Sequence, residues 1–196
     1  MFHSRSRLAT LVVAGLLVGG SPVFAQIPAG LLEAANNADP VRSAAAQDSL
    51  GIMYDLGEGV PEDNAEAARW YHLAAVQGNA HAQFSLGILY ATGAGVPKDN
   101  AEAVRWYRLA AAQGNAGAQG SLGFMYATGA GVPQNTERAY VWFSLEVAGQ
   151  SVADRDIAVI NRDRASEDLT PEQLSRAQAQ ATRCFNSNFT DCGEPD

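Results

Sequence analysis

Apolar residues between positions 43 and 149 recur at the spacing of a helix face. In residues 79–114, Ala82, Leu86, Leu89 and Tyr90 fall at i, i+4, i+7 and i+8, and Ala103, Trp106, Tyr107, Ala110 and Ala111 fall at i, i+3, i+4, i+7 and i+8. At 3.6 residues per turn each set forms one apolar stripe, so the segment predicts two amphipathic helices. Asn79 caps the first, which should run from about Ala80 to Thr92, and Gly93-Ala94-Gly95-Val96-Pro97 ends it. Glycine takes the left-handed backbone of a C-cap, and proline cannot continue a helix. Asp99 caps the second helix, Glu102 is placed to complete a capping box, and Gly114 closes the segment.

The same pattern occurs three times. Ser49-Leu50-Gly51, Ser85-Leu86-Gly87 and Ser121-Leu122-Gly123 stand 36 residues apart, in register with Tyr54/Tyr90/Tyr126, Gly57/Gly93/Gly129 and Trp70/Trp106/Trp142. A period of this length marks stacked helical hairpins. The units are 43–78, 79–114 and 115–149, and Leu50, Tyr54, Trp70, Leu86, Tyr90, Trp106, Leu122, Tyr126 and Trp142 are their predicted core. Identical surroundings assign the tryptophans to packing between helices, not to an aromatic ligand box. Before the repeats, residues 26–42 form an arm and the start of the first helix, which Asp39-Pro40 opens early as a cap followed by an N1 proline. After them, residues 150–196 form a helical cap. Ser151 to Arg164 has helical character, and Thr170-Pro171-Glu172-Gln173 opens a helix through Thr182 that should help cover the third unit.

The pattern Ala82-x-x-x-Leu86-Gly87-x-x-Tyr90-x-x-Gly93-x-Gly95-Val96-x-x-Asp99-x-x-Glu102-Ala103-x-x-Trp106-Tyr107-x-x-Ala110-Ala111-x-x-Gly114 resembles the Sel-one-like repeat (SLR), a relative of the tetratricopeptide repeat. The resemblance implies an all-α, right-handed α-solenoid of three helix pairs with a C-terminal helical cap. It also implies an adaptor that holds a protein or peptide, in secreted bacterial members for envelope signalling, a secretion partner or host contact. The family has no shared catalytic apparatus, and no cofactor follows from it.

Residues 1–25 read as a signal peptide, with Arg5 and Arg7, an apolar stretch from Leu8 to Gly20, and cleavage after Ala25 of Val23-Phe24-Ala25. That stretch is shorter than the roughly 20 residues a membrane helix needs. The expected location is periplasmic or secreted, with no membrane span in the mature chain. Losing Arg5 and Arg7 takes the formal charge from −8 to −10. Such an acidic balance argues against nucleic acid as a partner, since that requires clustered Lys and Arg. Cys184 and Cys192 should form a disulfide that staples the last helix. Their spacing is not that of a redox motif, and no further ligands make a metal site.

On the first helix of each unit, the A-helix, the positions opposite the constant ones differ between copies, and in a tetratricopeptide-like stack they would line the concave groove. Phe84, Ile88 and Phe124 are candidates for an apolar contact strip, with His81 on the same face and Asp48 and Asp55 available to a basic group. The alternative is that Ile52, Ile88 and Phe124 pack between successive helices. For chemistry, Ser-x-x-Lys, Gly-x-Ser-x-Gly and His-Glu-x-x-His are all lacking. A scaffold is therefore expected, not an enzyme. The competing readings are a hydrolase or β-lactam-binding protein like the cysteine-rich relatives, which carry cysteine pairs within their repeats, and a host-interaction factor.

Overall fold

The computed structural model describes residues 27–150 and 155–192, and these residues form nine α-helices and no strand. The helices are α1 (Ala29–Ala35), α2 (Pro40–Leu56), α3 (Asn64–Val76), α4 (Ala80–Thr92), α5 (Asn100–Ala111), α6 (Ala116–Thr128), α7 (Thr136–Gly149), α8 (Arg155–Glu167) and α9 (Pro171–Asn186). Helices α2/α3, α4/α5 and α6/α7 pack as pairs, and the second helix of each pair packs on the first of the next. The result is the expected α-solenoid. The signal-peptide assignment at residues 1–25 lies outside the described residues, as do Ser151 to Asp154 at the start of the predicted cap helix.

Local chemistry sets each corner. Gly57, Gly93 and Gly129 end α2, α4 and α6 with φ of 68°, 82° and 77°. Asp63 and Asp99 cap α3 and α5 by accepting two backbone N–H groups each, and Asn135 caps α7 through Arg138 N. The capping box expected at Asp99 and Glu102 does not form, and neither does one at Asp63 and Glu66, which have the same spacing. The backbone N–H groups of Asp63, Asp99 and Asn135 are already taken by the carbonyls of Tyr54, Tyr90 and Tyr126, at 2.8, 2.9 and 2.8 Å. The freed Glu66 and Glu102 pair with Arg69 at 2.6 Å and Arg105 at 3.2 Å. A complete box does occur where no such carbonyl competes, between Thr170 and Gln173 at the start of α9.

Inside each hairpin, Leu50, Leu86 and Leu122 are fully buried. The glycine after each leucine admits an aromatic ring from the partner helix. A Cβ at Gly51 or Gly87 would lie 2.5 Å from the Tyr71 or Tyr107 ring, and one at Gly123 2.6 Å from Phe143. Between hairpins the contact is backbone on backbone. A Cβ at Gly95 would stand 2.2 Å from the Asn64 carbonyl carbon, and one at Gly131 2.3 Å from the Asn100 oxygen. Trp106 and Trp142 are buried and Trp70 is half-buried; the Trp106 ring meets His72 of the preceding unit edge-on at 5.8 Å.

Three buried glutamines also join the units. Gln47, Gln83 and Gln119 donate through Nε2 to the carbonyls of Ala35, Ala75 and Ala111, at the ends of α1, α3 and α5. In the first two copies the side-chain oxygen accepts from Gln77 and Gln113. Gly149 stands at the corresponding place in the third copy, and Gln119 Oε1 is buried without a partner. Because Ala35 occupies the place of Ala75 and Ala111 in this scheme, α1 serves as the second helix of a unit preceding the first repeat.

At the other end, α8 and α9 both pack on α7. Helix α9 continues to Asn186, beyond the predicted end at Thr182, because Ala177, Ala181 and Cys184 extend its buried stripe. Cys184 and Cys192 are joined by a disulfide. The loop it closes lays Phe189 against Gly114, where a Cβ would stand 2.9 Å from the ring, and Gln180 Nε2 holds the Cys192 carbonyl at 2.6 Å.

Two stability predictions follow from these contacts. Gly78 (φ 91°) has open space around it, whereas Gly95 (φ 70°) is pressed against backbone. Gly78→Ala should cost only the left-handed backbone penalty of about 1–2 kcal/mol, and Gly95→Ala roughly 3 kcal/mol or more because overpacking adds to it. Urea denaturation of both variants measures the difference, and equal midpoints would remove the backbone contact from the account. Replacing both cysteines by serine should lower stability by roughly 2–3 kcal/mol, the chain entropy of a loop of this length, with the loss read as earlier melting of α9 by hydrogen exchange.

Candidate functional site

The variable positions of α2, α4 and α6 form one face of the solenoid, and the structure puts them to unequal uses. His81 Nδ1 lies 2.8 Å from Asp48 Oδ1, a link from α4 to α2. Asp55 accepts the Tyr71 hydroxyl at 3.3 Å. Both acids singled out in the sequence for a basic ligand are thus engaged within the first two repeats. The Phe84 ring is half-buried, 6.0 Å from the Tyr107 ring, and it covers Gly117, where a Cβ would meet it at 2.7 Å. Ile88 and Phe124 are the apolar residues of this face that point outward, 39% and 59% exposed.

Beside Phe124 lies a cavity of about 470 Å³ bounded by α4, α5, α6 and α7. Ala91, Tyr107, Gly120, Ser121, Phe124 and Glu146 are among its lining residues, and Lys98 also reaches it. Burial pushes the Tyr107 phenol up, partly offset by its hydrogen bond with Ser121. Burial likewise raises the Glu146 carboxyl above the ordinary glutamate value, partly offset by Gln150. Glu146 was not apparent as a site residue from helix periodicity. Its signal lies in the repeat register, where Ala74 and Ala110 occupy the equivalent positions. Among the described residues no group of three or more His, Cys, Asp or Glu is arranged to hold a metal ion.

The Sel1 repeat pattern matches residues 44–79, 80–115 and 116–145. The chain belongs to the Sel1 repeat family. Among solved structures, this Sel1 chain is similar to a protective antigen of uropathogenic Escherichia coli displaying an SLR fold, with 31% identity and a TM-score of 0.65 over 76% of this chain. It spans about a third of that antigen, 33% of its length. A Sel1 repeat protein from Oxalobacter formigenes is 32% identical with a TM-score of 0.59, over 69% of this chain and 96% of its own. No curated protein matches the sequence significantly. Sel1 repeats generally mediate protein–protein interaction, and the family is typically a non-enzymatic scaffold.

The Asp48 link has a pH signature. The Asp48 hydrogen bond raises the His81 pKa above its ordinary value, and burial opposes the shift without reversing it. A folded-state pKa above the unfolded one, about 6.5 for histidine, means that the stabilisation is complete below the unfolded value. It is lost as pH rises through the folded value. The stability difference between wild type and His81→Ala should therefore be largest in mild acid and fade in mild alkali. By NMR, His81 should titrate above a free histidine and return toward it in Asp48→Asn; titration at or below the free value would refute the link.

Proposed function

We propose that this Sel1 chain is a scaffold that holds a protein or peptide partner against the face built from α2, α4 and α6. The observation that supports it is Phe124, a phenyl ring 59% exposed at the edge of a 470 Å³ cavity, with Ile88 outward on the neighbouring helix. An aromatic residue displayed beside a concavity is an anchor of the kind that dominates interfaces. The working place proposed for it is the periplasm or the cell exterior. A disulfide suits an oxidising compartment, and no helix among the described residues is long and apolar enough to cross a membrane. There the proposed partner is an envelope signalling or secretion protein. The likeness to a protective antigen supports host contact as a second reading.

A photo-crosslinking amino acid at position 124 should trap a protein in cells that produce the chain, whereas the same group at the exposed Arg183 on the cap should not. Phe124→Ala combined with Ile88→Ala should reduce capture at least about tenfold, as the loss of an anchor does. Stability should move little, since exposed substitutions shift it by about 0.5 kcal/mol. Capture that survives the double variant would sink the reading. So would a loss of stability on the scale of a core substitution.

A further inference from the structure

The third repeat breaks the rule of the first two at one paired position. The second helix carries Ala74 in the first unit and Ala110 in the second, both fully buried between the paired helices. In the third it carries Glu146. Across the hairpin, the first helix carries Asp48 and Phe84 in the earlier copies and Gly120 in the third. The two changes meet in space. A Cβ at Gly120 would stand 2.5 Å from both Cδ and Oε1 of Glu146 and 2.7 Å from Oε2. The Glu146 carboxylate fills the space that a side chain would otherwise take at Gly120.

That carboxylate is incompletely satisfied. Oε1 accepts Gln150 Nε2 at 3.1 Å, while Oε2 is buried with no partner. Taking a carboxylate out of water without pairing it opposes folding, so a hydrophobic scaffold gains nothing from Glu146. The group does border the cavity, however, with Tyr107 and Phe124 among the other lining residues. A single carboxylate with a spare oxygen, beside aromatic rings, suits one organic cation. A divalent metal would need further oxygen ligands. The acidic balance of the whole chain, 21 Asp and Glu against 13 Lys and Arg, favours the same sign of partner.

We propose that the cavity beside Glu146 is a socket for one arginine or lysine side chain of the polypeptide held on the A-helix face. This rests on the reading of that face as a docking surface. The socket takes the cationic head at the Glu146 carboxylate, and Phe124 at the cavity edge packs against the neighbouring part of the partner. Binding gives the carboxylate a charge partner beyond its single protein hydrogen bond to Gln150. The groove thereby gains a preference at a single position of the bound segment.

A phage-displayed library of random nonapeptides selected on the whole chain tests both levels. Selected peptides should share one Arg or Lys, and replacing it with citrulline or norleucine should weaken binding to wild type at least about tenfold, as loss of a buried charge partner does. Glu146→Gln keeps the shape and removes the charge. On that variant, shown to be folded by its melting temperature, the same replacement should change affinity less than about twofold, which closes a double-mutant cycle. Lys98→Ala should leave the basic preference intact or tighten binding. Selected peptides that instead share an acidic residue, whose effect is lost in Lys98→Ala, would assign the cavity to an acidic group and overturn the proposal. Peptides that need Phe124 but ignore Glu146 would remove the socket and leave the docking face. Failure of every peptide to depend on Phe124 would remove both.

Discussion

The closest constraint in this molecule is the contact between the corner of one hairpin and the backbone of the hairpin before it. Gly95 and Gly131 sit so near the start of α3 and of α5 that no side-chain atom fits between. That approach sets the step from one unit to the next, and the other inter-unit devices operate at the distance it defines. Glutamines span from the start of one first helix to the end of the preceding helix, while within each hairpin a tyrosine carbonyl meets the N-cap amide. Each unit is completed by its neighbour, so the stack has an intrinsic problem at both ends.

The two ends solve it differently. At the start, α1 supplies the carbonyl of Ala35 to Gln47 and Ser43, a partial copy of the second helix that a preceding repeat would have offered. At the finish, α8 and α9 cover the far side of α7. Their effect shows at one register position, where Leu73 and Leu109 are 43% and 45% exposed but Leu145 is 1% exposed. Covering that side lets α7 carry Tyr140, Val141, Trp142 and Phe143 in succession, all buried, where the equivalent residues of α3 are buried Ala68, exposed Arg69, half-buried Trp70 and buried Tyr71. The disulfide loop adds a contact back to Gly114. The cap therefore binds the last two units together as well as ending the array.

What was legible in the sequence was chiefly what is local. The bounds of α4, the glycine C-caps and the aspartate N-caps depend on residues within one turn of each other, and α4 runs from Ala80 to Thr92 as periodicity requires. Where the partner lies elsewhere in the chain, spacing marked the position without the reason. Gly87 belongs to the repeat pattern, yet only the fold shows the Tyr107 ring resting on it. The capping box failed for the same cause, because Tyr90 lies nine residues before Asp99 and its carbonyl reaches the amide first. Glu102 kept the sequence signature and lost the bond. Glu146 escaped notice because the informative comparison was not along its own helix but with Ala74 and Ala110 in the other copies.

Stability and the proposed recognition compete for the same face in this solenoid. In the first two units the variable A-helix positions are spent on joining units, Asp48 to His81 and Phe84 over Gly117. Asp55 is bound to Tyr71 within its own hairpin. In the third unit Gly117 and Gly120 contribute no side chain, and the surface there drops away into the cavity. The cap makes this affordable, since α7 is held from behind by α8 and α9 and needs less from the front. A carboxylate that would unsettle a freely standing hairpin can then be tolerated at an alanine position. The proposed recognition is thus concentrated where the array is best supported from outside itself, and the departures from the repeat in that unit, Gly120 and Glu146, are what the proposal rests on.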